Sequence, residues 1–519
     1  FFKEHGYWTA STGKVFHSAR HELGDVAWNE HVRFDNDELP VVRAAQEAFE
    51  KEHGSVENAK NRKQWKTLRK HVLAKLNAQT PPGHGRSGLL DEQHKDGKNA
   101  RQVASWLSNH SHDEKPFFIA CGIQKPHVPF LAPDKYFDLY PSEEIPLLSY
   151  PAKLWDALPK TAISKRYEAF GFELGKEDPD LRREYMQAYH ACISFLDAQL
   201  SIVFDALKAS GHWEDTIVIF TSDHGYHLGE HFLWGKVTLF DIGTRVPFLV
   251  RVPGLTEGGT QSEAMVELVD IYPTLVDLCG LPKPEQHLEG TSLAATLADP
   301  ATAHDRDVFL PHMNPGEFAV MNRDWRYIRY GEDGEELYDL KTDPNEWENL
   351  ADDPALESKK EELRRVAPEV FAKPIEDLNA RKSLVIEGDT FRWERGQGNY
   401  VPRAKNRLST TTSSDNVKSS KDAHNKSRNA KPAEDKQGKS HSPNILFIVC
   451  DDLNTHVSPS GYDAIQTPTL ARLATESMTF RNAYCQYPVC GPSRASFLTG
   501  RYPDAPGVLN NTIGLREAC

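Results

Sequence analysis

Hydrophobic and polar positions follow two periods along this chain, and the way they alternate predicts an α/β order. The stretch "PFFIACGIQKPHVPF" (116–130) is an unbroken apolar run followed by a proline-punctuated loop, so it reads as a buried strand with polar groups delivered at its end. "DLRREYMQAYHACISFLDAQLSIVFDALKASG" (180–211) carries apolar residues at helical spacing and stops at Gly211. β-branched residues crowd "TIVIFTSDHG" directly after it, so a helix feeds a strand that ends in a polar turn. The alternation continues with "RVPFLVRVPG" as strand and "AMVELVDIYPTLVDLCG" as helix. Further on, "DWRYIRYGEDGEELYDL" reads as two short strands about a turn, the pattern of a small antiparallel sheet. At the start, Phe1, Phe2 and His5 ahead of Gly6 read as the last turn of a helix with a glycine cap.

Residues 404–442 contain a single Leu and no aromatic residue, and are rich in Ser, Lys and Asn. They carry too little apolar surface to offset the entropy of ordering, which predicts a disordered linker or tail. Directly beyond it "PNILFIVCDDL" starts a new buried strand.

Composition narrows the function classes. The chain of 519 residues has 61 Lys plus Arg against 75 Asp plus Glu, a formal charge of -14, which works against non-specific nucleic-acid binding. A small anionic substrate would need locally gathered cations. No apolar run approaches the roughly 20 residues of a membrane helix, the longest being "NILFIVC" (444–450), so no membrane span is expected. The opening "FFKEHGYWTASTGKVFH" lacks the basic and apolar regions of a signal peptide. Seven cysteines at irregular spacing form neither a disulfide framework nor a paired zinc motif. Cys121, Cys192, Cys279, Cys450 and Cys485 read as small buried apolar residues, and Cys519 as exposed.

Candidate chemistry gathers at strand ends. Asp451 and Asp452 follow one apolar strand, and Asp223 and His224 follow another. That is where open α/β sheets place ligands, and three carboxylates with a histidine suit Ca2+ or Mg2+. Taken singly, each Asp is more often a turn or helix-cap residue than a ligand, and it is the pairing of DD and DH after two apolar strands that favours a metal. Lys14 and Lys236 read by themselves as solvated surface lysines, His127 as a loop histidine satisfied by backbone, and His227 and His231 as packing residues.

Near the other end "CGPSRASFLTGRYP" (490–503) resembles the sulfatase signature C-x-P-S-R with its following T-G-R, and "NILFIVCDDL", "GKVFH", "KPHVPF" and "TSDHGYHLGEHFLWGK" resemble the other active-site blocks of that family. In their forms GKVFH, KPHVPF and DHG with LGEH they are similar to the iduronate-2-sulfatase branch. The resemblance implies an alkaline-phosphatase-like α/β fold, a large mixed sheet flanked by helices plus a smaller antiparallel-sheet subdomain. It implies hydrolysis of sulfate monoesters on a sulfated sugar, 2-O-sulfated iduronate of glycosaminoglycan fragments being favoured. Other readings are a choline-sulfatase-like or other sulfate or phosphonate ester hydrolase, or a silent sugar-binding protein if Cys490 stays unconverted.

The same resemblance assigns roles. Cys490 would be oxidised to formylglycine by a formylglycine-generating enzyme that reads Pro492, Ser493 and Arg494. Calcium would be held by Asp451, Asp452, Asp223, His224 and residue 490. Lys14 and Arg494 would hold the nucleophile, and His17 would take a proton during sulfate elimination. Lys236 and His127 would face the sulfate, with His127 protonating the leaving oxygen. The family's export from the cytoplasm would carry over.

The order of blocks is rotated relative to the family, in which the DD strand and the cysteine motif come first. The chain therefore reads as a circular permutation: 1–300 the main part of the catalytic domain, 301–403 the smaller subdomain, 404–442 the linker, and 443–519 the N-terminal-type part completing the core. Any export signal of the family's own N-terminus would fall within 404–442.

Overall fold

The computed structural model describes residues 1–17, 27–35, 39–56, 58–77, 83–109, 115–149, 151, 158–159, 161–162, 178–302, 306–312, 314, 316–368, 371, 382–387, 390–395, 442–503, 508 and 511. The expected linker through 441 and the expected exposure of Cys519 lie outside the described residues.

In chain order the strands that matter are β1 (Trp8–Gly13), β2 (Glu30–Val32), β3 (Phe117–Pro126), β4 (Thr216–Ser222), β5 (Phe248–Arg251), β6 (Thr260–Glu267), β7 (Val308–Pro311), β8 (Glu317–Met321), β9 (Trp325–Tyr330), β10 (Glu335–Asp339), β11 (Asn444–Asp451) and β12 (Met478–Tyr484). The longer helices are α1 (Pro40–His53), α2 (Ala59–Asn77), α3 (Lys95–Asn109), α4 (Pro179–Ala209), α5 (Ile271–Leu278), α6 (Glu357–Arg364), α7 (Pro468–Thr475) and α8 (Cys490–Thr499).

Eight strands form one mixed sheet in the order β6-β12-β5-β4-β11-β3-β1-β2. β11 is parallel to both its neighbours, β3 and β4, while β5 runs antiparallel between β4 and β12. Every residue of β11 is buried, because both faces of the sheet are covered. Its side chains alternate between two cores: Ile445, Phe447 and Val449 face one, and Leu446, Ile448 and Cys450 face the other. Burying each such aliphatic or aromatic side chain contributes roughly 1.5–3 kcal/mol, so the strand that ends in Asp451 and Asp452 is among the firmest elements of the molecule. α4 packs in the second core, while α5 and α8 pack in the first. α4 is long and apolar enough to cross a bilayer by length and composition, but most of its apolar residues are buried in the core against the sheet. The Asp178 side chain caps it, accepting from Leu181 N, and Pro179 occupies the first turn.

A second sheet, β7-β8-β9-β10, is antiparallel throughout. The expected pair of strands is present as β9 and β10, extended by two more, with α6 against them through Leu363. Arg326 of β9 ties this sheet to the larger one, donating to Leu239 O at 2.8 Å and pairing with Asp241 at 2.7 Å and Glu346 at 2.6 Å.

One local expectation is met and one corrected. Residues 1–6 close as a single helical turn, His5 N donating to Phe1 O at 3.0 Å, with Gly6 at φ 92 as its cap and Tyr7 N reaching back to Phe2 O at 3.1 Å. Trp8 then enters the sheet, its N–H donating to Pro116 O at 2.9 Å. The run expected as one helix from Ala264 is divided: Ala264–Glu267 belongs to β6, and helix begins only at Ile271 after a short 3-10 turn. Pairing of Met265 and Val266 with Asn482 and Ala483 of β12 decides this, a contact that no local pattern contains.

Candidate active site

Parallel neighbours β11 and β4 end side by side, and their first residues beyond the ladder are acidic. Asp223 N–H donates to Cys450 O at 3.2 Å, extending the pairing by one step. Asp452 then turns into the left-handed region at φ 66, a conformation that Asp tolerates better than most residues. Three bonds hold it there. Its N–H donates to Asp223 Oδ1 at 3.2 Å, its carbonyl accepts from Tyr189 Oη at 2.8 Å, and Ser222 Oγ accepts the next N–H, that of Leu453, at 2.9 Å. Asp451, Asp452, Asp223 and His224 are all fully buried.

Cys490 is the first residue of α8, and Arg494 stands one turn later on the same face. The Arg494 guanidinium spans the two strand ends. Its Nε meets Asp223 Oδ2 at 2.9 Å, and its Nη2 meets Cys450 O at 3.1 Å and Asp451 Oδ1 at 3.4 Å. Its Nη1 donates to Lys14 O and to Val15 O. Lys14 leaves β1 just after Gly13, which lies at φ 74, and passes so close to β3 that a Cβ on Gly122 would stand 2.1 Å from the Lys14 carbonyl carbon. That approach turns the Lys14 ammonium onto Asp451 Oδ2. Lys236 reaches in from the opposite side, 2.6 Å from Asp452 Oδ1 and 3.2 Å from Cys490 Sγ. Both lysines, which read as surface residues in isolation, are largely buried, with side chains 12% and 19% exposed.

His127 donates from Nδ1 to Val128 O at 2.6 Å, so its Nε2 is turned to the site, 4.0 Å from Asp451 Oδ2 and from Asp452 Oδ2. Asp96, at the start of α3, anchors this loop by accepting from Gln124 N and Lys125 N, both at 2.8 Å. His17 lies half-buried in the turn that follows Lys14. His227 is buried away from the cluster, between Thr238 Oγ1 at 2.6 Å and Glu230 O, and His231 is stacked on Phe240.

The electrostatics are those of a packed charge cluster. Burial opposes the charge on Asp451, but Lys14, His127 and Arg494 hold its carboxyl well below the usual range. Burial also opposes Asp452, and Lys236 and His127 hold it below the usual value. At Asp223 burial outweighs Arg494 and His224, so that carboxyl is pushed up. Burial alone would lower the Lys236 ammonium, yet Asp452 carries it well above the lysine range. His127 is pushed down to about 4 by burial and by the charge of Lys14. Burial and Asp451 raise the Cys490 thiol, so the sulfur as it stands is no thiolate nucleophile.

The donor set suits a hard cation. His224 gives its Nδ1–H to Gly225 O at 2.9 Å, which leaves the Nε2 lone pair facing Cys490 Sγ at 3.2 Å, Asp452 Oδ1 at 3.4 Å and Asp223 Oδ1 at 3.7 Å. Asp452 Oδ2 is buried and has no hydrogen-bond donor among the described residues. Asp452 Oδ1 and Cys490 Sγ already meet Lys236, and Asp223 Oδ1 accepts from the Asp452 and His224 N–H groups. The atoms that lack an electrostatic counterpart are therefore the His224 Nε2 lone pair and Asp452 Oδ2, and a cation supplies it. Two groupings bring their ligand atoms within 4.8 Å of one another: Asp223, His224, Asp451 and Cys490, and His127, Asp451, Asp452 and Cys490.

Residues that the sequence reading passed over hold this arrangement from outside. Tyr189 of α4, Ser222 and Asp96 have been described. His312, just after β7, donates from Nε2 to Val237 O at 3.0 Å, with its Nδ1 3.0 Å from Glu317 Oε2. Val237 adopts φ 75, a left-handed conformation that costs a β-branched residue strain, and it directly follows Lys236. Ser222, directly before Asp223, and Asn454, beside the two acids, carried a sequence signal; the Asn454 Nδ2 donates to Tyr226 O at 2.9 Å.

Comparison with known proteins places the chain in a family. A curated sulfatase of Formosa agariphila is 34% identical over 279 residues, covering 52% of this chain and 54% of that protein. The iduronate 2-sulfatase of Homo sapiens is 32% identical over 336 residues, covering 56% of each. The chain spans about half the length of these curated relatives. Among solved structures, the phosphonate monoester hydrolases of Agrobacterium radiobacter and Silicibacter pomeroyi both align with a TM-score of 0.53. The first covers 70% of this chain and 78% of its own at 20% identity, the second 76% and 83% at 18%, so they share the fold. A profile of the C-terminal region of N-sulphoglucosamine sulphohydrolase matches residues 229–371. Residues 2–281 and 443–517, which between them contribute every member of the buried charge cluster, match the sulfatase profile, and the chain belongs to the sulfatase family.

Proposed function

We propose that the protein hydrolyses sulfate monoesters on a sulfated sugar, with 2-O-sulfated iduronate of glycosaminoglycan fragments as the favoured substrate. The observation that carries this reading is the convergence of Asp451, Asp452, Asp223 and His224 on Cys490 with Arg494, Lys14 and Lys236 around it. Three carboxylates against three cationic side chains leave the cluster close to neutral. Calcium held by Asp451, Asp452, Asp223, His224 and residue 490 would supply positive charge for an anionic ester, and formylglycine at 490, made by a formylglycine-generating enzyme, would supply the attacking hydroxyl.

The chain's own groups do the rest. Lys236 and His127 bind the sulfate, and Lys14 and Arg494 orient residue 490 and offset charge developing there. His127 is the group that protonates the leaving oxygen. An anionic ester against its Nε2 favours the imidazolium, opposing the burial and the Lys14 charge that hold it near 4. His17 takes a proton as sulfate departs. On the same reading residues 443–519 are the N-terminal-type part of the catalytic unit in a circularly permuted order. Support comes from β11, which pairs between β3 and β4 at the centre of the sheet. We also infer export from the cytoplasm, as the family resemblance implies.

A desulfation panel of defined heparan and dermatan disaccharides, with choline sulfate and a phosphonate monoester as competitors, tests the proposal. Release of sulfate from the 2-O-sulfated uronate disaccharides is expected. Preferential turnover of choline sulfate or the phosphonate would replace the substrate. No turnover by protein whose residue 490 is shown by mass spectrometry to be an aldehyde would remove the activity.

A further inference from the structure

Outside the active site, a strong charge feature among the described residues is α2. Its sequence, AKNRKQWKTLRKHVLAKLN, holds no Asp or Glu, in a chain whose acids outnumber its bases 75 to 61. α2 is paired with α1, and the two share a small core of Val42, Phe49 and Trp65 with Val72 packed against it. At about 100° per residue, Lys63, Lys66 and Lys70 fall within about 60° of one another on the side turned away from Trp65, spread over about 10 Å of helix axis. All three are exposed, and among the described residues no carboxylate pairs with them. Lys60 and Arg62, also exposed, extend the cationic surface.

We propose that this face of α2 is a docking surface for a sulfated polysaccharide chain, separate from the site that cuts the ester. The choice of sulfated sugar rests on the proposed function; the choice of a polyanion rests on α2 alone. Cations repeated at steps of about 5–6 Å along one line match an anion repeated along a chain, whereas a single small anion would use one of them. A bilayer is the poorer occupant, since the apolar residues Trp65 and Val72 are already packed on α1 and cannot be inserted into lipid. Nucleic acid is disfavoured because a long, stiff duplex would lie across much of the surface of a chain whose formal charge is -14, whereas a short flexible polysaccharide can meet α2 alone.

The test uses the full chain carrying the triple substitution Lys63→Ala, Lys66→Ala and Lys70→Ala. Heparin is the probe, and hyaluronan, anionic phosphatidylserine vesicles and duplex DNA are compared at the same salt. The parent should bind heparin with an affinity that falls steeply with salt. The variant should bind at least about tenfold more weakly, with the slope of log K against log salt reduced by about two, as expected for three lost phosphate-like contacts. Its melting temperature and its turnover of a disaccharide should match the parent. Equal heparin affinity and slope for parent and variant would overturn the proposal. So would parent affinity for hyaluronan, vesicles or DNA equal to or above that for heparin. Assaying desulfation on the same parent protein keeps the two readings apart. Lysine-dependent heparin binding by protein whose residue 490 is an aldehyde but which releases no sulfate would remove the proposed function and leave the docking surface standing, and Cys490→Ala should bind heparin as the parent does.

Discussion

Among the buried acidic clusters of the described residues two bear comparison, and only one of the pair has the makings of a reaction centre. Glu267 and Asp270, at the end of β6, are as buried as the acids of the site. There, however, the carboxylate oxygens meet donors. Asp270 accepts from Thr291 N at 2.7 Å, from Glu267 N at 2.9 Å and from Arg306, and Glu267 accepts from Tyr502 Oη at 2.7 Å and pairs with Arg306 at 3.3 Å. Around Asp452 one carboxylate oxygen has no donor, and the His224 lone pair faces two carboxylates. A closed cluster fixes structure and an open one awaits a charge. Burial of acids is common to both; satisfaction of their oxygens separates them.

The largest effect expected from breaking the open cluster is at residue 490. Cys490→Ala should abolish turnover and form no adduct. Cys490→Ser retains a single hydroxyl among Arg494, Lys14 and Lys236, so it should attack the ester once and then stall, gaining the mass of one SO3 on residue 490. On the formylglycine reading the hydrated aldehyde carries a second hydroxyl on the same carbon that expels the sulfate, so a serine variant that cycles at the parent rate would exclude that reading.

Breaking the closed cluster should cost stability instead. Asp270→Asn weakens the pair with Arg306 and removes one of the acceptors of a buried network, which should lower unfolding free energy by about 2–4 kcal/mol in a urea titration. Loss of activity at unchanged stability would erase the distinction drawn between the clusters.

The smallest effect should come from the contact that aims Lys236. His312→Ala removes the donor to Val237 O and should lower kcat by about 10- to 100-fold with KM little changed, as for other residues that orient a functional group from behind. His312→Gln, which keeps a donor, should recover part of the loss. Equal kcat for the alanine variant and the parent would show that the Val237 turn holds itself.

Strands β3, β4 and β11 and helix α4 were legible in the sequence because each is an apolar run of distinctive period, and the site's acids follow directly at two of those strand ends. Lys14, Lys236 and His127 were legible only through the motifs around them, since a lysine's own sequence neighbourhood does not say that it will be buried against Asp451 or Asp452. The boundary at Glu267 was not legible, because the run from Ala264 fits either helix or strand until β12 lies beside it. Asp96, Tyr189 and His312 escaped for a related reason. Each acts on a backbone atom of a segment far away in the chain, and no spacing rule connects them.

Calcium-dependent melting tests the central distinction most directly. Chelator-treated protein should gain stability as Ca2+ is added, approaching about 2.7 kcal/mol at a hundredfold excess over Kd. Asp270→Asn should show the same gain from a lower starting point, and Asp452→Asn should show almost none. An equal calcium response in the Asp452→Asn variant and the parent, or no response in either, would contradict the assignment of the open cluster as a cation site.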